Sequence, residues 1–350
     1  MDARGKSPRI TSQKRGNAMK KTVIPGTPLC VSAVCLGTAK FGAQTDEKSA
    51  HRLLDAFYDG GGRMLDTANV YGRGVDGTNL SERIVGRWLR RGGHSGMIVA
   101  TKGGHYDFQT PERSRVTRAD VFADVEESLR ALGVASIDLY WLHRDNPELP
   151  AGEIVEFCEE LARAGKIRCY GASNWTLPRL KEAQAYAAAH GCAGFCAVSN
   201  RFSLAEVPSD GRADAAGLVT TDAAYYRFHR ESGFPLVPYS ALAFGFFEKL
   251  RRAGAAVLNG RLAVENRAGL SEPAWQTLDT PANARRYELL LAIAAETGLT
   301  MTDLAVAYHT SQPFTDIPVV AVSDEAQLGE LLRAASATLD GRTLDRLDEA

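Results

Sequence analysis

An acid, a phenol, an ammonium and an imidazole stand at the ends of three apolar runs: Asp66 and Tyr71 in MLDTANVYG, Lys102 in MIVATKGG, and His143 in IDLYWLHRD. Each run reads as a buried strand, and each polar group arrives where the strand gives way to a loop containing Gly or Asn. In parallel α/β proteins the carboxyl ends of strands are where ligands bind and reactions occur. Brought together there, the four groups form a proton-transfer set. Taken singly, each has a plainer role: Asp66 a loop cap, Tyr71 a half-buried tyrosine, Lys102 a snorkelling strand end, His143 a satisfied core histidine. Their shared position on three separate strands favours the joint reading.

The elements that must position them follow from the rhythm of the chain. Short apolar runs alternate with longer segments of helical period, the pattern of βα units around a parallel sheet. Strands are predicted at 33–37, 64–68, 97–102, 137–143, 168–173, 196–200, 236–240 and 317–322, and helices at 46–59, 80–91, 118–132, 153–164, 177–189, 284–297 and 324–335. Thr45-Asp46, Thr117 and Thr176 read as N-caps, and Gly133, Gly165, Gly191 and Gly298 as helix exits. Eight strands with no linker dividing the chain predict an α/β fold, a (β/α)8 TIM barrel over residues 19–350. An N-terminal β-hairpin, 20–24 with 29–31 around Pro25-Gly26, precedes the first barrel strand. A long loop after strand seven, 243–283, is broken by Gly245, Gly254, Gly260, Gly269, Pro273 and Pro281 and would overhang the active face.

Composition sets the exclusions. Apolar residues are 45% of the 350, enough for a large core, and the net charge of -1 argues against nucleic acid or an anionic membrane as partner. The six cysteines show no C-x-x-C or Cys/His spacing, so buried free thiols in a reducing, cytoplasmic setting are expected, with no metal. No apolar stretch approaches the ~20 residues of a membrane span. Residues 1–18 are basic and polar, read as a disordered tail, and Met19 is an alternative start. Gly72, Gly74 and Gly77 match G-x-G-x-x-G, but they do not follow the strand directly, Thr78 and Asn79 part them from the helix, and the next strand ends in Lys102, not an acid. A Gly-rich loop flanking the site is the better account.

The motifs also occur in a familiar order. L-G-T at Gly37, D-T-A-x-x-Y-G from Asp66, A-T-K ending at Lys102, D-L-Y-x-L-H ending at His143, G-K-I-R-x-Y-G-A-S-N-W ending at Trp175, V-P-Y-S ending at Ser240 and Q-L at Gln327 resemble the aldo-keto reductases over nearly the whole chain. The branch with Arg144-Asp145 after the histidine and Gly245-Phe246-Phe247 in the strand-seven loop is the most similar.

The resemblance implies interconversion of a carbonyl and an alcohol with NADP(H), NAD(H) being the alternative. Charge developing on a carbonyl oxygen must be protonated or stabilised. Tyr71 would donate the proton, Lys102 would lower its pKa, Asp66 would hold the lysine, and His143 would orient the substrate oxygen. Cofactor contacts carry over to Gly37, Thr38, Asp66, Ser173, Asn174, Tyr239, Ser240, Ala241, Leu242 and Gly245. The usual strand-six glutamine is replaced by Ser199 or its neighbour Asn200. After strand eight, Val322-Ser323-Asp324 lacks the basic residue that meets a 2′-phosphate, while Gln327 and Glu330 keep helix positions facing the adenosine. Lys40, Phe41, Tyr71, His143, Arg144 and Trp175 are expected to face the substrate, with Arg73, Asp145 and Phe244 nearby. Their mixed charges suit a polar, hydroxylated small molecule such as a sugar or cyclitol. The alternative is a nucleotide-sensing binding subunit of the same fold with little turnover.

Overall fold

The computed structural model describes residues 19–73, 78–208 and 217–349. The expected tail, 1–18, and residues 74–77 of the glycine run lie outside the described residues. The chain begins with the expected hairpin, β1 (Lys21–Val23) antiparallel to β2 (Cys30–Ser32), turning at Gly26, whose φ of +74° suits glycine. Ile24, Leu29 and Val31 of this hairpin are fully buried against Cys35, Met64 and Ile98 at the starts of barrel strands, so the hairpin plugs the amino-terminal end.

β3 (Cys35–Gly37), β4 (Met64–Asp66), β5 (Ile98–Gly103), β6 (Ile137–Leu142), β7 (Ile167–Ser173) and β8 (Val198–Ser199) follow in order. A short antiparallel pair, β9 (Ala256–Leu258) and β10 (Arg261–Ala263), then precedes β11 (Val319–Val320). The parallel sheet runs β11-β3-β4-β5-β6-β7-β8. Its eighth place, expected as a strand at 236–240, is filled by a bridged segment. Val237 N–H donates to Val198 O (2.8 Å) on one side, and Ile317 N–H donates to Leu236 O (3.0 Å) on the other, which closes the barrel. Pro235 and Pro238 lack ladder donors, which accounts for the broken pairing there.

The period of two along each strand sorts the side chains. Cys35, Met64, Ile98, Ala100, Leu139 and Trp141 fill the interior. Two residues on from these rows, Asp66, Lys102 and His143 arrive at the carboxyl-terminal mouth. Trp141 occupies the space beneath them because Gly171 faces it: a Cβ there would lie 2.3 Å from the indole.

Amphipathic helices cover the outside. α1 (Glu47–Asp59), α2 (Leu80–Arg90), α3 (Arg118–Leu132), α4 (Ala151–Arg163) and α5 (Leu177–His190) lie within two residues of expectation. Asp46 accepts from Ser49 N–H and Thr117 from Asp120 N–H, as capping predicts, whereas Thr176 makes no side-chain cap. α6 (Ala223–Ser232), α7 (Phe246–Arg252), α8 (Glu272–Leu278), α9 (Pro281–Thr297), α10 (Met301–Thr310), α11 (Glu325–Ala334) and α12 (Gly341–Asp348) complete the chain. Within the long loop, the glycines and prolines separate α7, β9, β10 and α8 instead of leaving it irregular throughout. All six cysteines are free thiols, but only Cys35 and Cys158 are buried; Cys169, Cys192 and Cys196 are half-buried and Cys30 is exposed.

Candidate active site

Lys102 Nζ donates to Asp66 Oδ2 and, at 2.8 Å, to Thr67 O. Its ammonium lies 4.9 Å from the centre of the Tyr71 ring, and that ring meets His143 edge-on with centroids 5.9 Å apart. Asp66, Lys102 and His143 are buried and Tyr71 is half-buried. All four predicted groups are therefore together.

Their charge states follow from that packing. Burial works against the Lys102 ammonium, but Asp66 and Tyr71 outweigh it and hold its pKa above the ordinary value. Burial pushes the Asp66 carboxyl up while Lys102 opposes it, and the nearby Trp141 indole adds to the opposition. With a permanent ammonium against it, the carboxylate is the form the pair keeps at neutral pH. Lys102 also draws the Tyr71 phenol down, as expected, yet burial is the larger influence and the net position is above the ordinary tyrosine value. The expectation of a lowered pKa is corrected on that ground: Tyr71 rests as a neutral O–H donor. His143 is held well below the ordinary histidine value by burial, then by Lys102 and Arg144, so its imidazole is neutral. Its Nδ1 is buried without a partner.

Behind the lysine strand lies a buried acid. Glu82 accepts from Thr101 Oγ1 (2.5 Å) and from Asn79 Nδ2, and burial raises its pKa to about 7. An unfolded glutamate loses its proton near pH 4, so between about 4 and 7 the folded chain holds a proton that the unfolded chain has released. Stability from this group therefore falls as pH rises across that window. Glu82→Gln is expected to melt higher than the parent at about pH 8, with the difference closing toward about pH 4. A difference that does not vary with pH would assign the effect to hydrogen bonding instead.

The expected cofactor residues divide into available and engaged groups. Ser199 has the inward parity of Ala197, whereas Asn200 points outward and donates to Trp175 O (3.1 Å), so Ser199 is the one at the mouth. Ser173 Oγ donates to Ser199 O (2.8 Å). Asn174, at a φ of +60°, donates to His143 O and Ser173 Oγ and accepts from Tyr239 Oη (2.7 Å) and Val219 N–H, so its amide ties strand ends together. Thr38 is buried, its hydroxyl bonded to Asp66 O and Ser81, and Gly37 beside it is buried at the end of β3. Beyond Tyr239, Ser240, Ala243 and Phe244 hold φ of 55°, 44° and 60° before Gly245 at 72°. Such left-handed non-glycine residues cost about 1–3 kcal/mol each and gather at ligand clamps. His309 steadies this turn by joining buried Asp316 (2.9 Å) to the Ala241 carbonyl (3.2 Å); Leu242 lies half-buried beside it.

At the end of β11 the anion question changes. Lys40, expected at the substrate, instead donates to Ser323 Oγ (2.7 Å). Lys249 of α7 lies close enough for burial and then Lys40 to depress its pKa. Asp324 accepts from Gln327 N–H as the cap of α11, Gln327 Oε1 accepts from Ser323 N–H (2.9 Å), and Glu330 pairs with Arg252. Val322 is buried in the core. Two lysines without a carboxylate partner among the described residues, beside a strained turn and an inward serine, fit a dinucleotide phosphate at one end and a carboxamide at the other.

On the substrate side, Tyr71, His143 and Arg144 gather, but two expected residues do not. Phe41 is 1% exposed in the core, and Trp175 is fully buried, its ring on Phe195 and its Nε1 donating to Arg144 O. Asp145 is clamped by Arg179, and Arg73 folds onto Asn69 and Glu127. The missed wall is aromatic. His105, Tyr106 and Phe108 pack together in the loop after β5 (centroids 4.2–5.7 Å apart), and His105 lies 4.8 Å from His143. Phe108 and Phe244 are 68% and 65% exposed. Three rings within four residues beyond the lysine strand were the available signal.

A profile of the Aldo/keto reductase family matches residues 33–350. The uncharacterized oxidoreductase YrpG of Bacillus subtilis is 29% identical over 95% of each chain. Norsolorinic acid reductase stcV of Emericella nidulans is 28% identical over 65% of this chain and 58% of its own. A rice protein named "probable voltage-gated potassium channel subunit beta" is 27% identical over 84% of each. With a barrel whose mouth carries Asp66, Tyr71, Lys102 and His143, and a family match spanning nearly all of its length, the chain belongs to the aldo/keto reductase family.

Proposed function

We propose that this oxidoreductase reduces aromatic carbonyl compounds with NADPH, Tyr71 donating the proton. The observation that carries the chemistry is the Tyr71 phenol beside the buried Lys102–Asp66 pair. The bound nicotinamide would supply a hydride to the carbonyl carbon. Tyr71 gives its proton to the carbonyl oxygen, Lys102 stabilises the phenolate left behind, and Asp66 keeps the ammonium aimed at it. Neutral His143 donates a hydrogen bond that orients the same oxygen, because its depressed pKa leaves it without the acidic imidazolium proton at neutral pH.

The His105–Tyr106–Phe108 wall favours a flat aromatic substrate over the sugar or cyclitol suggested by charge alone. A panel of aryl aldehydes and sugar aldehydes tests this choice. Higher kcat/KM on the sugars would reject it.

NADPH is preferred over NADH in this reading because Lys40 and Lys249 bring charge to Ser323. Lys40→Met is expected to weaken NADPH about tenfold in a fluorescence titration, with a smaller effect on NADH. Equal losses for both cofactors would remove Lys40 from phosphate recognition. The channel-subunit name of the rice relative supports a second reading, a nucleotide-sensing subunit with slow turnover. Cofactor binding at normal affinity with no steady-state turnover on any panel aldehyde would favour it.

A further inference from the structure

Arg144 is a guanidinium without a carboxylate partner among the described residues. It follows His143 directly, is half-buried, and lies 5.6 Å over the Tyr106 ring. Nη1 donates to the His143 carbonyl (2.8 Å), which leaves the Nε–Nη2 edge, and Nε is buried with no partner. Three nearby acids among the described residues are taken. Asp145 is held by both Nε and Nη2 of Arg179 (2.9 and 3.1 Å), Asp124 by Arg115 (2.6 Å) and Glu127 by Arg73 (3.1 Å). Burial depresses the Arg144 pKa, and the phenols of Tyr106, Tyr239 and Tyr71 oppose it. Two of those rings bound the mouth, and the third belongs to the proposed proton donor.

A half-buried cation with a buried, unpaired Nε and no carboxylate partner among the described residues is costly, and guanidinium remains charged in proteins. The Nε–Nη2 edge presents two parallel N–H donors, the geometry that matches the two oxygens of a carboxylate. We propose that Arg144 is the anchor for a carboxylate carried by the substrate, so that the favoured substrates are aryl carbonyl compounds bearing a carboxylate, with the ring on Tyr106 and Phe108 and the carbonyl at Tyr71. This rests on the carbonyl-reductase reading of the same site for the position of the reacting group, but not for the anion contact itself. The cation beside His143 recognises the charge and fixes which end of the molecule enters.

The test compares 2-, 3- and 4-carboxybenzaldehyde with their methyl esters, which keep ring and aldehyde and lose the charge. The holoenzyme is expected to prefer the best acid over its ester by about 10- to 100-fold in kcat/KM, chiefly through KM. Arg144→Met should bring that ratio close to one, and Arg144→Lys should restore part of it. A purely structural Arg144 would depress acid and ester alike and leave their ratio in place, which would overturn the proposal; so would a parental ratio near one. Formylphenyl phosphate in parallel separates a carboxylate from other anions, and a larger preference for the phosphate would overturn the carboxylate assignment. Should no aldehyde turn over, the carbonyl-reductase reading fails, and calorimetric titration of benzoate against benzyl alcohol still decides on Arg144. Benzoate affinity lost in Arg144→Met supports the anchor, and affinity unchanged by the substitution rejects it.

Discussion

Tyr71→Phe is expected to lower kcat/KM for carbonyl reduction by about 10²- to 10⁴-fold, the range a positioned general acid supplies. Only the hydroxyl is removed, so the ring stays against His143 and beneath the Lys102 ammonium. Cofactor affinity should change little, because no predicted cofactor residue bonds to that hydroxyl. Steady-state assays on an aryl aldehyde, paired with cofactor titration, separate loss of proton donation from loss of binding. A variant that keeps more than about a tenth of the parental rate would place the donor elsewhere. The neutral His143 could not take over that role, because its remaining N–H is far too weak an acid.

Lys102→Met has a larger effect on the molecule as a whole. The ammonium lies in the buried interior against Asp66 and donates also to Thr67 O. Methionine fills similar volume but leaves the Asp66 carboxyl without its counterion. Breaking a buried pair from one side costs about 3–5 kcal/mol. The sign with pH follows from the same carboxyl. Burial already pushes Asp66 up, and without Lys102 its folded pKa rises further above that of the unfolded chain. The folded state then retains a proton that the unfolded state releases, so the deficit grows as pH rises and shrinks under acid conditions. Urea melts near about pH 5 and about pH 8 should show a smaller loss at the acid end. A loss equal at both would mean that packing, not charge, is what lysine supplies. Reduction should fall at least as far as in Tyr71→Phe, since the phenolate also loses its stabilising charge.

Much of this site was legible because chemistry at a strand end breaks an apolar pattern. Asp66, Lys102 and His143 each stand two residues past residues that must face the interior, and the pleat carries them to one place. The pattern says less about loops. Trp175 looked like a substrate contact because it adjoins Ser173 and Asn174, but the turn after Asn174 sends its indole into the core. Phe41 was misplaced in the same way beside Lys40. Lys40 and Ser323 are 283 residues apart and meet only because β11 pairs with β3. Ser199 and Asn200 could not be separated until the register of β7 with β8 fixed which one faces inward. Helix α10 left no amphipathic signal, since all but Thr302 and Thr310 of its residues are buried. The seventh barrel segment kept its place while losing regular pairing at its prolines.

The central claim is that a neutral Tyr71 phenol, not His143 or Glu82, delivers the proton. The most direct test is the pH dependence of kcat/KM for carbonyl reduction and alcohol oxidation by the parental enzyme. A phenol held above its ordinary value stays protonated through neutral pH. Reduction should therefore hold level across the neutral range and decline only in the alkaline region, above about pH 10, while oxidation, which needs the phenolate, rises toward the same region. A reduction rate that instead falls between about pH 6 and 8 would contradict the account, because a group titrating there would be the proton donor in place of Tyr71.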